Sequence, residues 1–511
     1  MHFSFSFEVC KTSAILASDE VRCKVGQSIR SAQVSGELNG NMRGVSLNHM
    51  GPYINLGYEI KMREIEAKVK NKFVHLQFDS SPLHLHLFNV VASYWNNNKV
   101  ENMILASIEC SEVENHIAIR DALEKVVKRA SIDPNNVVGL SCDRASNNTK
   151  FLNVHTETLF PNAVHLRCLC HVIHTCMSKL KTPIFDEFLK YWNNLTSRSS
   201  KFRTYFKEEF GMQRNPPVSV ETRWGSRIGV AKLVWELGPL LPPFFLRKNG
   251  EHKSANLSSI CHLLNDKGGE DFTCLMMEAK VIAEQEKLLV LLRGLEGDGI
   301  RALWAADGML LLRDLEKDMR GKVRQECRMR EGCDNLDDRV WRPMKEYIDA
   351  TLFGEGAELA NQMNLLNVLS YFNPFFTGHR GDITTLVGLH FPLASGSVVQ
   401  LQDEKREFLS LCQTHATKWR REHDRHQDLA KTDEAIYSFM NLLMDTPTLP
   451  LHQRIMESVI CLQTTSAATE RSFSHQNSSF TKKRKNSKQT LTEYELMAKV
   501  NDNSALFEVS I

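Results

Sequence analysis

Three acids stand at positions where they could work together. Asp79 follows an alternating run, Phe73 to Phe78 (FVHLQF). Asp143 follows a short apolar run, Val137 to Leu140. Glu470 sits in a tract of small residues, Thr465 to Ser474 (TSAATERSFS). Two-metal phosphoryl transfer needs several carboxylates converging on paired cations about 4 Å apart. Hard divalent ions such as Mg²⁺ or Mn²⁺ take oxygen ligands. A basic run, Lys482-Lys483-Arg484-Lys485 and then Lys488, follows Glu470 closely. An acid beside a cationic cluster suits a site that handles polyanions. No local motif links the three acids, so spacing alone leaves a simpler reading open for each, a solvated or turn residue.

The elements that must position these acids fall into a clear order. Residues 1–55, with Gly36, Gly40 and Gly44 among Ser and Asn, read as a poorly structured lead-in. Tyr58 to Lys72 is charged and helix-prone. Phe73 to Phe78, Leu83 to Tyr94 and Met103 to Ile108 read as strands. Ile117 to Ala130 has helical spacing, with Ile119, Leu123, Val126 and Val127 on one face, and Val137 to Leu140 is a short buried strand. This order predicts an α/β layer with carboxylates at strand ends, where a site can form. From Pro183 to Leu449 amphipathic helical runs dominate, such as Phe185 to Phe210, Leu275 to Leu292 and Trp341 to Leu369. Pro450 to Asn503 reads as helical again, with Thr490 and Glu493 in a capping-box pattern. The expected domains are the lead-in at 1–55, the first part of an α/β core at 56–182, a helical insertion at 183–449 and a C-terminal segment at 450–511.

Bulk composition narrows the function classes. The chain has 511 residues, 42% apolar and 24% charged, with a net charge of +2, so no global field draws it to nucleic acid and any such binding must be local. Its 13 cysteines include no C-x-x-C pair, which points to a reducing intracellular compartment rather than a disulfide scaffold. The start reads as neither signal peptide nor anchor. The apolar stretch Leu233 to Leu246 holds Glu236 and three prolines and reads as too broken to span a bilayer. No phosphate-cradling G-x-x-x-x-G-K, G-x-S-x-G or G-x-G-x-x-G stands out.

Five tracts, in order, resemble those of the hAT superfamily of transposases. They are Phe73 to Asp79; Asp143-Arg144-Ala145-Ser146-Asn147, similar to D-x-A-S-N; Cys168 to His171, similar to a C-x-x-H pair; Thr222-Arg223-Trp224-Gly225-Ser226, similar to T-R-W-x-S; and Ser466 to Ser474, similar to the C-terminal signature. The resemblance covers about residue 60 to the end. It implies an RNase H-like core of mixed sheet and helices, interrupted by a large all-α insertion, with a helical C-terminal dimerisation segment. It further implies that Asp79, Asp143 and Glu470 hold Mg²⁺ or Mn²⁺ for DNA strand cleavage and transfer in the nucleus. Cys168, His171 and Asn147 would support that site. Relatives carry an N-terminal BED-type zinc finger, whereas residues 1–70 offer only Cys10 and Cys23 without the partner pairs. The expectation is thus a chain without the finger, truncated or domesticated.

The resemblance also suggests DNA contacts. Trp224 would stack on a base and Arg223 would meet phosphate. Lys482, Lys483, Arg484 and Lys485 would contact DNA backbone or act as a nuclear-import signal. Plainer readings stand beside these: Trp224 as a core aromatic, the basic run as a solvated tail, and His84 and His86 as strand-face residues. Cys168, Cys170, His171 and His174 read as a packed cluster, so no structural zinc is expected. The partners expected are DNA and a second copy, with no membrane. Self-association would use apolar faces at Ile455, Val459 and Leu462 and at Tyr494 and Met497, expected to be partly exposed. Two functions follow: a metal-dependent DNA transposase, or a catalytically inactive, domesticated DNA-binding and dimerising protein.

Overall fold

A computed structural model describes residues 50–81, 87–96, 99–109, 115–143, 145–219, 224–252, 254–265, 270–296, 299–328, 336–375, 383, 398–423, 433–479, 496–497 and 501. Contacts divide the chain into two compact units. One comprises Met1–Cys168, Glu296–Ala305 and Asn364–Ile511; the other comprises Leu169–Leu295 and Ala306–Met363. The helical stretch expected at 183–449 is thus shared between them, with 364–449 grouped with the sheet.

The first unit opens with helix α1 (Met50–Val69), then strands β1 (Val74–Ser81), β2 (Leu87–Trp95) and β3 (Val100–Glu109). Helix α2 (His116–Arg129), β4 (Val137–Cys142), α3 (Ser146–Leu159) and β5 (Val164–Arg167) complete the first segment. The five strands form one mixed sheet in the order β3-β2-β1-β4-β5. β1, β2 and β3 form an antiparallel meander, while β4 runs parallel to β1 and β5 parallel to β4.

Alternation along β1 separates two faces. Val74, Leu76 and Phe78 join a core built with Ile65 and Val69 of α1, Leu123, Val126 and Val127 of α2, and Phe151 and Leu152 of α3. The periodic face read from α2 is therefore the face that packs. Asn115 caps this helix, its side chain accepting from the backbone N–H of Ile117 and Ala118 at 2.9 and 3.1 Å. The opposite residues, His75, Gln77 and Asp79, are also buried. Their face is covered by α17 (Pro450–Cys461) and α18 (Ala467–Ser479), both of which pack on β1 and β2. β3 is one of the two edge strands. Leu105 is bulged out of its pairing with β2. Asn501 accepts from Ile104 N at 2.8 Å and donates to Ile104 O at 3.0 Å, which satisfies edge groups that would otherwise recruit another strand.

The second unit is built of helices, with no strand among its described residues. In chain order it holds α4 (Leu169–Ser178), α5 (Pro183–Arg198), α6 (Ser200–Glu209), α7 (Trp224–Leu237), α8 (Leu241–Glu251), α9 (Ala255–Asn265), α10 (Glu270–Glu284) and α11 (Glu286–Glu296, its last residue in the first unit). α12 (Ala302–Arg328) and α13 (Leu336–Ile348) follow, and α14 (Ala360–Leu369) leads back into the first unit, which adds α15 (Val398–Glu422) and α16 (Asp433–Met444). The single runs read from periodicity are broken by local chemistry. Ser199, whose hydroxyl accepts from Phe202 N at 3.1 Å, starts α6 anew after α5. Between α7 and α8 the apolar stretch is more continuous than its prolines suggest. Residues Gly225–Glu251 are helical and apolar enough, by length and composition, to cross a membrane, but half of the apolar 18-residue window within them is buried inside the structure. Phe244 and Phe245 pack there with Phe188 and Phe202, the pattern of a core helix.

Candidate catalytic carboxylates on the sheet

Asp79 lies inside β1 rather than just beyond it. It pairs with Asn89 of β2, yet it is already past the last β1 residue paired with β4, Gln77, which is level with Ser141. Asp143 lies one residue after β4 ends. Each acid is two positions beyond the level pair Gln77 and Ser141, on parallel strands spaced about 4.8 Å apart. Their proximity has an electrostatic trace. The Cys142 thiol is pushed well up, first by burial and then by the negative charges of Asp143 and Asp79.

Each aspartate is held locally. Asp79 Oδ1 accepts from the backbone N–H of Ser80 at 2.7 Å. Asp143 Oδ1 accepts from Ala145 N at 2.9 Å and from the buried Asn148 amide at 2.6 Å, which ties the acid to the first turn of α3. Asn147 is exposed on the same turn.

Glu470 reaches the sheet from far along the chain. It is exposed in the first turn of α18, where a carboxylate is favoured by the helix dipole, and its Oε1 accepts from the Ser466 hydroxyl at 3.2 Å. The tract before and around it is buried and polar: Thr464, Thr465, Ser466, Thr469 and Ser472. Small side chains let α18 lie close to the sheet, and their polar atoms bond to it. Ser141 Oγ donates to Thr465 O at 3.3 Å. Ser466 N donates to Cys168 Sγ at 3.3 Å. Asn89 Nδ2 donates to Ser472 Oγ at 2.6 Å. Because Asn89 is level with Asp79, the Asp79 side chain shares the sheet face on which α18 packs.

Sequence reasoning missed the rest of this polar face. His75 Nε2 shares a 2.7 Å hydrogen bond with Ser141 Oγ. Burial pushes the His75 ring down to about 3, so it is neutral. Gly139 faces it, and a Cβ at that position would overlap the His75 ring and the Leu462 side chain. Gln77 donates to Ser93 Oγ at 2.9 Å. The only signal available was the alternation itself: three polar residues at period two on a strand with no solvent side.

The remaining site residues are placed as follows. Cys168 is buried just after β5 in the first unit, and His171 belongs to the first turn of α4 in the second. Trp224 is the first residue of α7. Arg223, Lys482, Lys483, Arg484 and Lys485 lie outside the described residues, as do His84, His86, Thr490, Glu493 and Tyr494. The expectation of a partly exposed apolar face is overturned: Ile455, Val459 and Leu462 are fully buried within the first unit, and so is Met497. α17 packs on the sheet and α15, which consumes the face assigned to a partner.

The donors at the strand ends are the carboxylates of Asp79 and Asp143, hard oxygen ligands suited to Mg²⁺ or Mn²⁺, and the Cys168 thiol just after β5, whose Sγ lies within 4.8 Å of a Glu470 carboxylate oxygen. The combined negative field felt at Cys142 favours a cation there. No protein-family model matches the chain, and no curated protein matches it.

Proposed function

We propose that the chain is a hAT-like, transposase-derived protein acting on DNA through metal-dependent phosphoryl transfer. What supports this reading most is the neighbourhood of Asp79 and Asp143 on the parallel strands β1 and β4, with α18, which bears Glu470, packed over β1 and β2. The mixed five-stranded sheet, onto which α17 and α18 pack after a long helical excursion, is compatible with an RNase H-like core split by an insertion. Bound divalent ions would supply Lewis acidity to the scissile phosphate and lower the pKa of an attacking water or 3′-hydroxyl. The carboxylates of Asp79, Asp143 and Glu470 would hold them. The bond from the Ser80 amide to Asp79, and those from Ala145 and Asn148 to Asp143, fix the two aspartates before any ligand arrives.

One observation favours the second reading, a non-catalytic DNA-binding protein. The same Oδ1 of Asp143 ties down the start of α3, so this acid has a structural use independent of metal. Asp143→Asn separates the two roles because it keeps an acceptor oxygen while removing the charge. The test is Mn²⁺-dependent cleavage of duplex DNA by the purified chain. Under the catalytic reading Asp143→Asn retains the wild-type unfolding midpoint but loses cleavage by at least about a hundredfold, the scale of removing a group that acts on the transition state. Inactive wild-type protein that still binds DNA would leave the second reading.

A further inference from the structure

The polar face of the sheet has a use that the three acids alone do not account for. α18 lies over strands whose side chains there are mainly polar, with Val91 beside Gln77 an exception, so apolar packing alone does not fix its position. Specific polar contacts set its register. Asn89 Nδ2 donates to Ser472 Oγ at 2.6 Å, and the same hydroxyl donates to Thr469 O at 2.6 Å, so the amide meets a hydroxyl whose direction is already set. His75 Nε2 meets Ser141 Oγ at 2.7 Å, and Ser141 in turn holds Thr465 O at 3.3 Å. These contacts bracket Glu470, one before the helix begins and one half a turn after the acid. Asn89, Ser93, His75, Gln77 and Ser141 are all buried, and a buried polar group left without its partner is costly, which makes each bond directional and hard to slip.

We propose that Asn89 and the His75–Ser141 pair are positioning residues that fix the rotation and height of α18 on the sheet and thereby aim Glu470 at the end bearing Asp79 and Asp143. This inference rests on the transferase reading only in giving Glu470 a metal to meet; the seating of α18 stands apart from it. A slip of one residue would rotate Glu470 by about 100° around the helix axis, so the register decides whether the third acid reaches its partners at all.

The experiment compares wild type with Ser472→Ala, Asn89→Ala and the double variant. Two readouts are used: amide hydrogen exchange along 467–473, and the Mn²⁺ concentration giving half-maximal DNA cleavage. Each single variant is expected to speed exchange in α18 about tenfold while leaving β1 amides protected, and to raise half-saturating Mn²⁺ about tenfold with the KM for DNA unchanged, the scale of one lost hydrogen bond. The double variant should lose no more than either single one, since both remove the same bond. Unchanged α18 exchange in both variants overturns the proposal. Faster exchange with unchanged half-saturating Mn²⁺ overturns the claim that the seating aims Glu470. If the wild type itself shows no Mn²⁺-dependent cleavage, the transferase reading fails and exchange alone decides the seating.

Discussion

A neutral imidazole sealed under a helix is a liability in acid, and His75 carries it. Its folded form titrates at about 3, against an ordinary value of 6.5, because burial disfavours the charged ring. The unfolded chain therefore binds a proton that the folded chain refuses. Stability attributable to this group is whole above pH 6.5 and falls as pH drops toward 3. At pH 5 the loss is about 2 kcal/mol from this residue alone. Urea unfolding at pH 7 and pH 5 should show a smaller pH difference in His75→Gln than in wild type; an equal difference would mean that His75 is not held neutral. The positions of Asp79 and Asp143 near strand ends were legible because a carboxylate after an apolar run breaks the pattern that a strand core needs. His75, Gln77 and Asn89 were not, since polar residues at period two ordinarily mark the water-facing side of a strand. Here that side is covered by α17 and α18, supplied by chain more than 350 residues further on, and no local pattern announces a cover of distant origin.

Elements show the same dependence on remote partners. Helical character was readable from periodicity between Pro183 and Met319, but breaks such as that at Ser199 were not, because they rest on single side chains. Glu278 of α10 is one of these. It is fully buried and accepts from Phe185 N at 2.8 Å, which caps the start of α5 from another helix. Burial pushes its carboxyl up to about 7, against the bond from Phe185 and the charge of Arg339. For an acid with a raised folded value, the stabilising contribution is present below the ordinary 4.5 and is lost as pH rises through about 7. Glu278→Gln keeps an acceptor for Phe185 and has no charge to bury. It should be more stable than wild type at pH 8, by up to about 3 kcal/mol, with the advantage gone at pH 4. Chemical denaturation at the two pH values checks this, and equal stability at pH 8 would refute it. α17 carries the opposite lesson. Its apolar face looked like a partner surface because sequence cannot tell an apolar helix face awaiting a second chain from one already covered by the same chain. Val459→Asp should therefore unfold the first unit, seen as lost ellipticity, rather than convert a dimer into a folded monomer in sedimentation.

At the scale of the whole molecule, the order from β1 to β4 was readable, while α3, β5 and the grouping into units were not. The described residues of 364–449 are largely helical like the preceding block yet group with the sheet, as Tyr437 shows: its hydroxyl accepts from Val100 N at 3.1 Å and its ring lies against Trp95. The chain's terminal part returns to the sheet as well. Leu496 and Met497 are buried in the core beside the strands, and Asn501 closes the edge of β3. That return governs how the basic run can be tested. With a net charge of +2 the molecule has no overall pull on a polyanion, so binding to DNA must come from local cations, and Lys482, Lys483, Arg484 and Lys485 form the densest group of them. Truncating the chain before them would also strip Leu496, Met497 and Asn501 from the fold and confuse lost charge with lost structure. Substituting the four residues by alanine leaves those anchors in place. If the run meets phosphate, each contact releases about 0.9 of a counterion, so the slope of log affinity against log salt should become shallower by roughly 3 to 4. Non-specific affinity at low salt should fall, while the unfolding midpoint stays at its wild-type value. Binding measured by fluorescence anisotropy across a salt series reads this directly. An unchanged slope would assign the run to solvent and leave DNA binding, if it occurs, to other cations of the chain.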